Sequence, residues 1–151
     1  MADKIHYEKL EVHETKNIEN QKINGSLTVI WRDYDSKFSI DPQMIYTTSV
    51  FPGEKKGPHL HKKRDSFFVC TKGKVLFVIK DDSGKYVEVM SSEDNPVMVH
   101  VPKNLASGHM NLSNETSTIL TIANLAWRPN EDEMINVSFD DYDWQQWNEN
   151  A

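Results

Sequence analysis

The sequence predicts an all-β domain, a sandwich or a barrel, on three observations: apolar and polar residues alternate in many short runs, turn residues separate the runs, and helical periodicity is weak throughout. Residues 1–24 are polar and are expected to form an edge strand or an arm. Alternation begins at Leu27, Val29 and Trp31 and resumes at Met44, Tyr46 and Thr48, the period-two pattern of half-buried strands. Pro52-Gly53 and Gly57-Pro58 punctuate the stretch that follows. Runs rich in β-branched and aromatic residues come next, at 66–71, 74–80, 86–90, 97–101 and 118–122, and such side chains suit a pleated surface. Lys72-Gly73 breaks the first two of these runs apart, and Asp81-Asp82-Ser83-Gly84 is expected to close a hairpin. The segment 128–151 carries Phe139, Tyr142, Trp144 and Trp147, too many aromatics for a tail that floats free. No repeat, low-complexity tract or Gly/Ser-rich linker divides the chain, so a single domain over 1–151 is expected.

At 151 residues and 17.5 kDa one hydrophobic core suffices. The chain is 38% hydrophobic and 26% charged, an ordinary globular composition, and no run approaches the ~20 apolar residues of a membrane-spanning helix, so no membrane partner is expected. The opening residues mix charges into every few positions and lack the apolar run of a secretion signal, which makes the cytoplasm the expected location. Cys70 is the only cysteine, excluding an intramolecular disulfide and a multi-cysteine zinc site, and its neighbours Phe67, Phe68 and Val69 point to a buried, unreactive thiol. A net charge of −6 argues against a nucleic-acid partner, since phosphate backbones are held by clustered Lys and Arg.

One stretch runs against that charge. Lys55-Lys56 and Lys62-Lys63-Arg64 bracket His59 and His61, and cations at the rim of a pocket would attract a small anionic ligand such as the diphosphate of a nucleotide sugar. His59 and His61 are one residue apart, so in an extended segment both project from one face, roughly 6.5 Å apart. Asp65 and His109 complete an inventory of three imidazoles and a carboxylate, which suits either a metal ion or proton transfer. His6, His13 and His100 read as surface or structural histidines.

The stretch Gly57-Pro58-His59-Leu60-His61-Lys62-Lys63-Arg64-Asp65, with Gly73 beyond it, resembles the first motif of the cupins, and Val101 to Leu112 resembles the second. The resemblance implies the cupin double-stranded β-helix, a jelly-roll barrel. Within the cupins, the run from His59 through Cys70 to Gly73 is similar to the dTDP-sugar 3,4-ketoisomerases. The ending from Ala126-Trp127-Arg128-Pro129 through Trp144 is similar to the dTDP-4-dehydrorhamnose 3,5-epimerases.

That resemblance implies an isomerase acting on a 4-keto-6-deoxy sugar nucleotide without a cofactor, by proton transfer next to a ketone. It assigns His59 as base, His61 as proton relay and an aspartate of the C-terminal segment, Asp141 rather than Asp140, as the group that orients His59. Lys56, Lys63, Arg64, His109 and Trp127 are the expected substrate contacts, and a homodimer the expected assembly. Ser66 stands where epimerases carry a lysine that steadies the enolate, and Ala126-Trp127 where they carry a tyrosine acid; Lys72 and Lys74 are the nearby cations. Ser107 stands where metal-binding cupins carry a histidine, so no metal is expected. A metal-dependent cupin, with His59, His61, Asp65 and His109 as ligands, is one alternative. A non-catalytic sugar- or nucleotide-binding cupin is the other.

Overall fold

The computed structural model describes residues 4–33 and 41–150, so the first three residues of the expected N-terminal arm lie outside the described residues. Among the described residues the regular structure is almost entirely strand: β1 (His6–Lys9), β2 (Glu11–Lys16), β3 (Ile23–Val29), β4 (Met44–Val50), β5 (Lys55–His61), β6 (Ser66–Lys72), β7 (Lys74–Lys80), β8 (Tyr86–Ser92), β9 (Val97–Val101), β10 (Ala106–Asn111), β11 (Ser117–Ala123) and β12 (Met134–Asn136), followed by a 3-10 helix, Trp144–Asn150. No helix among the described residues is long and apolar enough to cross a membrane.

Two antiparallel sheets carry the fold, with strand orders β1-β9-β6-β11-β4 and β12-β5-β10-β7-β8, and β2 and β3 form a separate hairpin. The pairings are nested: β4 lies beside β11, β5 beside β10, β6 beside β9 and β7 beside β8. Successive pairs alternate between the two sheets. A single antiparallel ribbon, going out along β4 to β7 and returning along β8 to β11, thus wraps around itself into a jelly roll of the cupin type. At its tip the Asp81 carboxylate accepts hydrogen bonds from the backbone N–H groups of Ser83 and Lys85, each at 2.9 Å, closing the turn anticipated at 81–84. At the β6–β7 corner Gly73 has φ 82°, and a Cβ there would lie 2.2 Å from Ser117 Oγ, so the chain passes only as glycine.

The apolar runs explain their burial once three clusters are distinguished. Val75, Phe77 and Ile79 of β7 point between the sheets with Val50, Cys70, Val99 and Ile119, while Leu76 and Val78 point outward. The outward pair is covered by Phe139 and Trp144 of the C-terminal segment. Phe67, Val69 and Met98, on the outer face of the other sheet, are covered by Leu10 and Ile30. Both chain ends therefore act as lids on sheet faces, and strands sealed on both sides lose the alternation of a half-exposed sheet.

Strand limits follow partners rather than composition. The run expected at 27–31 is strand over Ile23–Val29, because pairing with β2 extends from Lys16↔Ile23 to Glu11↔Val29 and Trp31 lies past the last pair. The polar N-terminal segment supplies both an edge strand, β1 against β9, and the first arm of the hairpin.

Candidate functional site

β5 supplies the two histidines, and a bulge sets which way they face. Ser107 of β10 pairs with His59, but His109 pairs with Lys56, so β5 carries one extra residue across this step. Gly57 and the cis-linked Pro58 occupy it, with φ 80° at Gly57. A Cβ on Gly57 would lie 3.0 Å from the Ser107 carbonyl oxygen and 3.3 Å from Gly108 Cα, so the two backbones approach this closely only at glycine. The extra residue shifts the phase of the strand, and Lys56, His59 and His61 all line one cavity between the sheets although Lys56 and His59 stand an odd number of residues apart.

The rest of the cavity wall comes from the other elements. Tyr46 and Thr48 project from β4, Ser66 and Phe68 from β6, Ser107 and His109 from β10, and Arg64 and Leu105 from the connecting segments. Among the described residues, buried side-chain polar atoms without a hydrogen-bond partner are Arg64 Nε, Ser66 Oγ, His109 Nε2 and Thr121 Oγ1, and the first three belong to residues of this cavity. Ser66 Oγ and His109 Nε2 are thus left without a hydrogen bond beside the cavity, a costly state for a buried polar group, whereas Arg64 Nε lies within ion-pair distance of Glu133.

β12 lies on the outer edge of β5 and brings partners to both histidines. Asn136 pairs with His59 in register, and its Oδ1 stands 2.8 Å from His59 Nδ1. Glu133, just before β12, accepts the Lys62 N–H on its backbone carbonyl at 2.7 Å, and both carboxylate oxygens lie 2.7 and 2.8 Å from His61 Nδ1. Glu133 is 7% exposed and Arg64 8%, and the guanidinium Nε lies 3.6 Å from the same carboxylate. Burial lowers the pKa of His61 from its ordinary value, against the opposing pull of Glu133. Burial beside Lys56 and His59 pushes His109 down to about 4, so His109 is neutral at pH 7. Its ring packs against Phe77 and Phe68, with centroids 5.5 and 6.2 Å away.

The structure places His59, His61, Lys56, Arg64 and His109 in the cavity, and three expectations need correction. Asp141 does not reach His59: it is exposed and accepts a hydrogen bond from the Tyr86 hydroxyl, because Phe139 and Trp144 hold this part of the tail on the outer face of its sheet. Asp65 is turned from the other candidate ligands and engages His100 Nε2 at 3.2 Å, the Lys103 N–H at 3.3 Å and Asn124 Nδ2 at 3.2 Å. The set His59, His61, Asp65 and His109 is thus not assembled, and among the described residues no three His, Cys, Asp or Glu side chains form a group able to hold a metal ion. Lys63, Lys72 and Lys74 are exposed and do not line this cavity.

Trp127 lies at a second cavity with Ala126, Arg128 and Glu131, and this cavity shares His61, Arg64 and Met134 with the first. Glu133, Asn136, Tyr46 and Thr48 went unrecognised in the sequence. Tyr46 and Thr48 showed their strand but not which face was functional, and Glu133 and Asn136 sit among other polar residues with no motif around them.

The family model described as "FdtA: WxcM-like, C-terminal" matches residues 8–142. The spore coat polysaccharide biosynthesis protein SpsL of Bacillus subtilis is 28% identical over 97 residues, covering 60% of this chain and 64% of that protein. The probable low-salt glycan biosynthesis epimerase Agl13 of Haloferax volcanii is 26% identical over 108 residues, covering 67% of this chain and 69% of that protein. The match to SpsL thus spans less than two thirds of that relative. Among solved structures, dTDP-4-dehydrorhamnose 3,5-epimerase from Sulfolobus tokodaii superposes with a TM-score of 0.75 at 21% identity, over 93% of this chain and 80% of the other, which establishes a common fold.

Proposed function

We propose, on the premise that the chain belongs to the WxcM-like, C-terminal (FdtA) family, that it is an isomerase of sugar nucleotides that moves a proton on a carbon next to a keto group. The observation that carries this reading is the pair of histidines in one cavity, each with Nδ1 tied to a side chain at β12 and Nε2 left for the substrate. A carbon acid next to a ketone needs a base near neutral pKa and a way to stabilise the developing enolate. The half-buried imidazole of His61, its pKa lowered by desolvation, supports the first requirement, and Lys56 and Arg64 are the cations lining the same cavity for the second. Ser66 Oγ and His109 Nε2, beside the same cavity, have no hydrogen-bond partner within the protein.

The second cavity, with Trp127 and Arg128, suits an aromatic base and a phosphate, and its shared wall with the first lets one elongated ligand occupy both. The reading needs no cofactor. A homodimer and a cytoplasmic site of action belong to it.

The test is incubation with dTDP-4-keto-6-deoxyglucose in deuterium oxide, followed by NMR. The wild-type protein is expected to exchange a carbon-bound proton next to the ketone. Replacing both histidines, His59→Asn with His61→Asn, is expected to slow exchange by about 100-fold or more without unfolding the protein. Absence of exchange in the wild type would overturn the reading.

A further inference from the structure

We infer that the segment after β12 is a strap whose aromatic clasp, Phe139 and Trp144 on the outer face of the sheet, positions one wall of the site on the inner face. Both are thereby positioning residues for ligand binding, although neither lines either of the two site cavities. The consequence for ligands rests on the sugar-nucleotide reading above; the consequence for β12 does not. β12 has little of its own to hold it. It is three residues long, all of them exposed, and it sits at the edge of its sheet with β5 as its one neighbour. Yet this short piece furnishes much of the site: Glu133 reaches His61, Asn136 reaches His59, Met134 lines both cavities and Glu131 lines the second.

The anchorage lies on one side. Before β12, residues 127–132 are exposed and bury little apolar surface. After it, Phe139 and Trp144 are buried against Leu76 and Val78 of β7 and Met110 of β10, their rings parallel with centroids 6.4 Å apart. The Tyr142 hydroxyl donates to Glu88 Oε2 of β8 at 2.5 Å and accepts from Trp147 Nε1 at 2.9 Å, and the Tyr86 hydroxyl donates to Asp141. The Lys55 ammonium lies 5.0 Å from the centre of the Trp144 ring. Lys55 opens β5, so this contact ties the clasp to the strand that bears both histidines.

Chain geometry carries the effect across the sheet. Val137 and Ser138 alone separate β12 from Phe139, and three residues span at most about 11 Å when fully extended, so a seated Phe139 keeps β12 within reach of β5. Two backbone hydrogen bonds record the docking: the Lys62 N–H donates to the Glu133 carbonyl at 2.7 Å, and the Val137 N–H to the Pro58 carbonyl at 3.1 Å. Local opening follows burial and pairing, so an unclasped three-residue edge strand frays, withdrawing Glu133 from His61 and opening a wall of both cavities. β5 itself stays paired with β10 on its other side, so the barrel beneath does not depend on the strap.

Trp144→Ala removes the stacked ring and its contact with Lys55. In this variant the Lys62 and Val137 amides are expected to exchange with deuterium about tenfold faster or more, followed residue by residue by NMR, while amides of β6, β9 and β11 in the other sheet keep their rates. Affinity for dTDP, measured by isothermal titration, is expected to fall by about tenfold, and Trp144→Phe to restore most of both. Tyr142→Phe, which deletes only the hydroxyl between Glu88 and Trp147, is expected to move the same amides by a smaller factor. Leu10→Ala, which uncovers the outer face of the other sheet, should lower the melting temperature and leave those amides and the affinity unchanged. Unchanged Lys62 and Val137 exchange in Trp144→Ala would overturn the inference, as would equal acceleration in both sheets, faster strap exchange with unchanged dTDP affinity, or the same loss of affinity in Leu10→Ala. A wild-type protein that does not bind dTDP would overturn the sugar-nucleotide reading instead, and the amide rates would still decide whether the clasp holds β12.

Discussion

His109 shows how one residue ties the site to stability. Its Nε2 is buried without a partner and its pKa is held near 4, whereas in the unfolded chain an imidazole titrates near 6.5. Between those values the unfolded state binds a proton that the folded state refuses, so stability falls as the pH drops from 6.5 towards 4 and levels off below. At pH 5 the loss from this group is on the order of 2 kcal/mol relative to neutral pH. Urea titrations at pH 7.5 and 5.0 check it: His109→Phe, which keeps a ring between Phe68 and Phe77, should show a smaller difference between the two pH values than the wild type. An equal difference would mean that His109 is not held neutral. His61, whose pKa is also lowered by burial, adds in the same direction. That His59 and His61 face one side was legible in the sequence from their spacing. Their partners were not, because Glu133 and Asn136 are more than seventy residues away and reach β5 only through an edge pairing.

At the scale of elements, β5 decides the site through its bulge. A regular strand would turn Lys56 away from His59, and the extra residue at Gly57-Pro58 brings both to the cavity. Gly57→Ala would force a residue with a Cβ into φ 80° against Ser107 and Gly108 backbone atoms. The expected cost is about 1–3 kcal/mol of unfolding free energy, together with weakened ligand binding as Lys56 and His59 shift. Denaturant unfolding and isothermal titration with dTDP check the two effects, and a variant with wild-type stability would show that the bulge relaxes freely. The sequence marked this place with Gly-Pro as a break, but a break and a bulge read alike until the partner strand's register is known.

At the scale of the whole molecule, the β2–β3 hairpin stands out because it pairs with neither large sheet and most of its residues are exposed. Val12, Ile23 and Leu27 are 44%, 63% and 53% exposed, and an isolated two-stranded hairpin is marginal in water. β4, an outer strand of its sheet, likewise leaves Ile45 62% exposed. A second copy of the chain covering these surfaces is the proposed assembly. Sedimentation equilibrium at micromolar concentration should give twice 17.5 kDa, and Leu27→Glu should shift the mass towards the monomer. A monomeric wild type would refute the dimer.

By itself the sequence determined the all-β class, the main strands and the His59-x-His61 pair, because alternation, turn chemistry and close spacing are local properties that survive in a list of residues. Tertiary structure decided what depends on contacts between distant segments. It put Asp141 on an outer sheet face, tied Asp65 to His100 and Asn124, and brought Glu133 and Asn136 to the histidines. The physical reason is that the jelly-roll ribbon and the two covering ends fix which face each side chain occupies. A carboxylate acts on an imidazole only across a few ångströms, a distance set by strand pairing and not by separation along the chain.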